Sequence, residues 1–179
     1  MKNAVRREPT KKPRRFIFVC ADGVSIEDRL LKAKDIALER ISAGEWPIYK
    51  GTAWRGKMEK GDRCLFYLAG SGEEAQHFIG QAEICKCAVA ARRWREPMET
   101  LITEPAAEVV HLESIGLYRR PVSVRALLDR LSFIRDRKRW GLYFIGGVRA
   151  ISVEDFELVR EEAGAGSRNT CHSSTSLVR

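Results

Sequence analysis

Lys60-Gly-Asp-Arg-Cys-Leu-Phe-Tyr-Leu68 and His77-Phe-Ile-Gly-Gln-Ala-Glu-Ile84, separated by a break containing Gly70-Ser-Gly72, decide how this chain is read. Gly61-Asp62 is turn chemistry leading into the first apolar run, and the glycine-rich break returns the chain for the second. The pair predicts a β-hairpin. Gly80 marks a place where another backbone passes closely or the strand bends.

On the N-terminal side, Phe16-Ile-Phe-Val-Cys-Ala21, bounded by Asp22-Gly23, reads as a first strand. A helix is predicted next, capped by Ser25 with Asp28, carried by Ile26, Leu30, Ala33, Ala37 and Ile41, and stopped at Gly44. Trp46 to Lys60 has loop composition, with two tryptophans among glycines and basic side chains. On the C-terminal side, Val89 to Pro97 is a connector, and alternation resumes at Glu108 to Leu112 and continues through Leu117-Tyr118. A helix from Ser123 through Leu131, a charged loop Arg135 to Arg139, strands at 141–145 and 148–151, and a last helix from Ser152 to near Arg160 complete the pattern.

The fold class expected is mixed α+β: a small mixed-strand sheet of five or six strands, closed partly into a barrel that covers its edges, with two or three short helices beside it. The 179 residues, 44% hydrophobic, suffice for one core. The formal net charge is +8, but residues 1–15 hold seven Lys and Arg against Glu8 alone. Most of the basic excess therefore lies in a terminal arm, where it would attract phosphates. The expected organisation is a disordered basic arm over 1–15, a folded domain over 16–160, and a disordered tail over 161–179.

Several classes are excluded. No apolar run approaches the ~20 residues of a membrane helix, and six apolar residues from Phe16 to Ala21 are too few for a secretory signal, so a cytoplasmic protein is expected. Five scattered cysteines make no disulfide framework, and Cys85 and Cys87 lack the spacing and further ligands of a zinc site. Neither a Gly-x-Gly-x-x-Gly fingerprint nor a phosphate-loop lysine is present, and no nucleophile-base motif emerges. No cofactor is expected.

The order of segments resembles the PUA-like superfamily and, within it, the EVE domain, a relative of YTH and ASCH domains. Four stretches carry the resemblance. They are the tryptophan loop Trp46 to Trp54; the hairpin above, similar to the "GD..lFY..G....fiG.aei" pattern of EVE domains; Arg120-Pro-Val-Ser-Val-Arg-Ala-Leu-Leu128; and Ile151-Ser-Val-Glu-Asp-Phe156. The resemblance implies a non-catalytic module that places a modified, methylated base of DNA or RNA in an aromatic-walled cavity.

Trp54 is the first candidate wall, with Trp94, Tyr67 and Trp46 as further aromatics and Thr52 and Asp22 as base-edge partners; for each aromatic the structural alternative is a core role. Arg55, Arg92, Arg93, Arg95, Arg119, Arg120 and Arg149 are the phosphate-binding candidates, because guanidinium groups reach phosphates beside stacking rings. Two alternatives stand beside this reading. One is an ASCH-like amidohydrolase acting on modified nucleosides, for which Lys50, Thr52 and Glu83 are the set to test; the other is a protein-interaction domain with a vestigial pocket.

Overall fold

The computed structural model describes residues 12–89 and 94–168. Strand β1 (Arg15–Cys20) is followed by a two-strand flap, β2 (Gly23–Val24) and β3 (Leu30–Leu31), then helix α1 (Ala33–Ala43) and β4 (Glu45–Ile48). β5 (Arg63–Leu68), β6 (His77–Val89), β7 (Glu108–Ser123), β8 (Val148–Ile151) and α2 (Val153–Arg168) complete the order, with 3₁₀ turns at Val124–Leu127 and Trp140–Phe144. Six strands form one sheet in the order β4-β7-β6-β5-β1-β8. Only the β1–β5 pair is parallel.

Along β1 and β5 the sheet is buried on both faces, which is why these strands read as unbroken apolar runs rather than as alternation. Phe16, Phe18, Cys64, Phe66 and Leu68 face a core shared with α1, whereas Ile17, Leu65 and Tyr67 face a second core closed by Phe156 and Val159 of α2. Register shifts along β5–β6 and β6–β7 curl the sheet toward a half-barrel. Gly80 meets the close approach expected of it: a Cβ there would sit 2.7 Å from the Gly116 carbonyl oxygen.

Five local expectations are corrected. The helix starts at Ala33, not near Ser25, because Asp28 adopts a left-handed φ of 59° that a helix interior excludes. The Ser25 hydroxyl instead closes a turn by accepting the Arg29 N–H at 3.1 Å. The Asp22 carboxylate caps α1 from a distance, accepting the Ala33 N–H at 2.8 Å. Trp46 and Pro47 belong to a strand, β4, paired with β7, since the Trp46 indole stacks on Phe66 at 5.3 Å within the core.

The segment 141–145 is not a strand but part of a 3₁₀ turn. That turn brings Trp140 and Phe144 to 6.1 Å, whereas four strand steps would separate their backbones by about 13 Å. The helix expected from Ser123 shortens to a 3₁₀ turn, while the last helix runs to Arg168. Among the described residues, no helix is long and apolar enough to cross a membrane.

Candidate functional site

Because β1 and β5 run parallel, their C-terminal ends leave the sheet side by side, and the loops that follow diverge to leave a crevice. Ala21, Asp22 and Gly23 line it after β1, and Ala69 after β5. Leu101, Ile102 and Thr103 close one side, Phe144, Ile145, Gly146 and Gly147 another, and Ile36, Arg40 and Tyr49 also line it. The cavity, open on one side, is about 460 Å³, within the range of about 300–1,000 Å³ typical of small-ligand pockets.

Its polar groups are held by the chain itself. Arg40, only 6% exposed, donates from Nε to Glu96 Oε1 at 2.7 Å and from Nη2 to Glu96 Oε2 at 2.9 Å. Nη2 also donates to the Tyr49 hydroxyl oxygen at 2.9 Å. Burial raises the pKa of Tyr49 despite the nearby Arg40, so its hydroxyl keeps its proton and donates it to Glu96 Oε2 at 3.4 Å. The Arg40 guanidinium lies over the Trp46 ring at 5.5 Å.

Asp22 accepts the Ser71 N–H at 2.9 Å and the Ser71 hydroxyl at 2.6 Å, besides capping α1. Burial alone would raise its pKa; the hydrogen bonds from Ser71 and Ala33 outweigh it and hold the carboxyl below its ordinary range. Gly70 is required beside it, for a Cβ there would stand 2.0 Å from Asp22 Oδ1.

The candidate residues separate clearly. Asp22 lines the cavity, and Thr52 lies at its rim, with Oγ1 3.9 Å from where a Gly147 Cβ would stand. Trp54 is half-buried two residues further on, edge-to-face with Phe16 at 5.3 Å. Trp46 and Tyr67 are core residues, 2% and 1% exposed, and no wall of the cavity; Tyr67 stacks on Phe144 at 4.0 Å, putting Phe144 between it and the opening. Trp94 donates its Nε1 proton to Glu45 at 2.7 Å and stands outside the lining.

Arg92 and Arg93 lie outside the described residues. Arg55, Arg95, Arg119 and Arg120 are exposed, and Arg149 is half-buried against Phe133 and Tyr143. The amidohydrolase set is not assembled. Lys50 is exposed, and Glu83 sits opposite Arg63 at the start of β5, the far end of the strand from the cavity. Nor is the neighbouring thiol reactive: burial pushes Cys20 up to about 12.

Arg40, Tyr49, Glu96, Thr103 and Phe144 were not singled out by the sequence reading. Arg40 alone carried a signal, a charge on the buried face of α1, three residues after Ala37 and next to Ile41. Glu96 carried none, because its partner is 56 residues away.

A curled six-stranded sheet with two helices and a cavity at the end of its parallel pair defines the PUA-like class of α+β domain. The model of the EVE domain matches residues 34–162, and the chain belongs to that family. A UPF0310 protein of Mycolicibacterium gilvum (strain PYR-GCK) is 32% identical over 108 residues, covering 58% of this chain and 70% of that protein.

Among solved structures, the N-terminal domain of Staphylothermus marinus McrB superposes with a TM-score of 0.54 at 14% identity, over 86% of this chain and 99% of that one. Human THYN1 in complex with 5-methylcytosine containing DNA gives 0.50 at 13% identity, over 83% and 97%. The YTH domain of Zygosaccharomyces rouxii MRB1 protein in complex with N6-methyladenosine RNA gives 0.50 at 9% identity, over 89% and 94%. At such identities the likeness is one of fold.

Proposed function

We propose that this EVE domain is a non-catalytic nucleic-acid-binding module that takes one modified base, a methylated one, into the cavity at the end of β1 and β5. The observation that carries the proposal is the division of the lining. Val19, Leu101, Ile102, Phe144 and Ile145 offer an apolar ledge, and Asp22, Arg40, Tyr49 and Thr103 offer an acceptor and donors. A flat heterocycle with apolar faces and hydrogen-bonding edges needs both. The complexes formed by THYN1 and the YTH domain on the same fold support this reading.

Burying an added methyl gives only about 0.8 kcal/mol, a few-fold preference. Stronger discrimination comes from a cavity shaped around the mark and from polar groups left unpaired by the wrong base. The buried Arg40–Glu96–Tyr49 network supplies that rigidity, since none of its members can swing away without breaking a hydrogen bond. Among the described residues, Tyr49 and Phe144 are the aromatic members of the lining, with Thr52 at the rim.

The basic residues before Lys12 add sequence-independent phosphate affinity in this proposal. Arg14 and Arg15 do not share that role: Arg14 is bound to Asp62, and Arg15 opens β1.

The test is a tryptophan-fluorescence titration with short DNA and RNA oligonucleotides carrying cytosine, 5-methylcytosine, 5-hydroxymethylcytosine, adenine or N6-methyladenine, at two salt concentrations. One modified base should be preferred at both salts, and Tyr49→Ala should abolish the preference. Binding that ignores the base and fades with salt would refute the cavity reading. Deleting residues 1–11 should weaken binding to every oligonucleotide and lower the salt slope.

A further inference from the structure

Most half-buried arginines in this fold are answered by an acid: Arg14 by Asp62, Arg63 by Glu83, Arg160 by Glu157. Arg149 is not. Its guanidinium lies over Phe133 at 5.4 Å and Tyr143 at 5.1 Å, its Nε is buried without a hydrogen-bond partner, and it makes no ion pair among the described residues. Arg15 also has a buried, unpartnered Nε, but its Nη1 donates to the carbonyls of Pro13 and Arg14 at 3.0 and 3.3 Å. The rings and water meet the rest of the guanidinium, and an anion would meet it with charge-assisted hydrogen bonds, about twice as strong as neutral ones.

Its position adds a second observation. Tyr143, one of the two rings that hold Arg149, immediately precedes Phe144 of the cavity lining, and Gly146 and Gly147 of that lining lie three and two residues before Arg149. Both glycines take positive φ, 96° and 79°. Their carbonyls are used, by Val148 at 2.9 Å and Val19 at 2.8 Å, whereas among the described residues their N–H groups have no acceptor. Consecutive glycine amides without an acceptor, followed two residues along the chain by an arginine without an acid, supply the kinds of donor that an oxyanion takes.

We propose that Arg149 and the Gly146-Gly147 amides form an oxyanion site for a backbone phosphate of the nucleotide whose base enters the cavity. The proposal rests on the base-binding reading and narrows its ligand: the unit recognised is a nucleotide, with the phosphate read as well as the base. The aromatic pair holds the guanidinium fork in place, so Lys, a point charge without the fork, replaces it only in part.

The experiment is an NMR titration of the full chain with deoxycytidine, 5-methyldeoxycytidine and N6-methyldeoxyadenosine, each compared with its own 3′,5′-bisphosphate. For the nucleoside that binds, the bisphosphate should bind about tenfold tighter. Arg149→Gln should bring the bisphosphate down to the nucleoside's affinity while leaving the nucleoside within about twofold. Arg149→Lys, which keeps charge and chain between the rings, should lose part of the gain and decides the matter if the Gln variant does not fold. Equal affinity of nucleoside and bisphosphate, or a phosphate gain that survives both substitutions, overturns the site and leaves the cavity reading intact. If no nucleoside and no bisphosphate binds, both proposals fall.

Discussion

The two ends of the parallel β1–β5 pair are built from the same kinds of residue and used in opposite ways. At the N-terminal end, Asp62 is 3% exposed and accepts the Arg14 N–H at 2.7 Å, the Arg14 guanidinium at 3.0 Å and the Glu59 N–H at 2.9 Å. Arg63 faces Glu83 at 3.7 Å. Charges there are spent on one another. At the C-terminal end, Asp22 and the Arg40–Glu96 pair are held as firmly, yet Asp22 and Arg40 line a cavity, and among the described residues Arg149 beyond it makes no ion pair with an acid. One end holds the strands together, and the other holds polar groups ready at fixed positions, which lowers what a ligand must pay in reorganisation.

The largest effect should come from breaking the buried pair at the open end. Glu96→Ala leaves the Arg40 guanidinium without its acid, with both side chains 7% exposed in the native fold, and should cost about 3–5 kcal/mol in urea unfolding. Glu96→Gln, which can still accept a hydrogen bond, should cost less. Next comes the closed end. Asp62→Ala strands two backbone N–H groups and leaves the Arg14 guanidinium with its longer ion pair to Glu59 at 3.5 Å, and should cost about 2–3 kcal/mol. Its folded fraction should bind the modified oligonucleotides as the parent does; a loss of base preference in Asp62→Ala would end the functional division between the two ends.

What the sequence made legible follows the same division. The strands of the closed end could be read directly, because Phe16 to Cys20 and Arg63 to Leu68 are local apolar runs and Gly61-Asp62 is a local turn. Gly44 stops α1 at a left-handed φ of 67°, as its position after an apolar stripe suggested. The cavity was hardly legible. Its polar set joins Arg40 to Glu96 across 56 residues and to Tyr49 across 9, and no periodicity reports a contact of that kind.

The aromatic residues are spread through the fold for a physical reason. Trp46 and Tyr67 are large apolar bodies on strands whose neighbours are core residues, and they pack there, while the Trp94 indole is tied to Glu45. Asp22 was read as a possible base partner from turn chemistry; what the local sequence could not show is that the same carboxylate caps a helix 11 residues on and clamps Ser71.

Smaller effects sharpen the contrast within the open end. Gly70→Ala would put a Cβ 2.0 Å from Asp22 Oδ1 and 2.7 Å from the Ala33 side chain, and the displacement should cost about 1–3 kcal/mol. Because it moves the carboxylate, it should also weaken oligonucleotide binding in the fraction that folds, unlike Asp62→Ala. A variant that binds normally would show that Asp22 serves the fold alone.

The smallest effect is a dependence on pH. The Asp22 carboxyl has a folded pKa below its ordinary 3.8, so its charged form is favoured by the fold, and the stability it contributes is complete above that ordinary value. It is lost as pH falls through the lower, folded pKa. Asp22→Asn keeps an oxygen that can accept from Ala33 and Ser71 but removes the charge at the start of α1, and should be less stable by about 1 kcal/mol at pH 7. The gap between parent and variant should hold from pH 7 to about 5 and close below about 4, as the parent's carboxyl protonates. Urea unfolding of both proteins across that range measures it directly. A gap that stays constant down to pH 2.5 would mean that the hydrogen-bond geometry, and not the charge, is what Asp22 contributes to this end of the sheet.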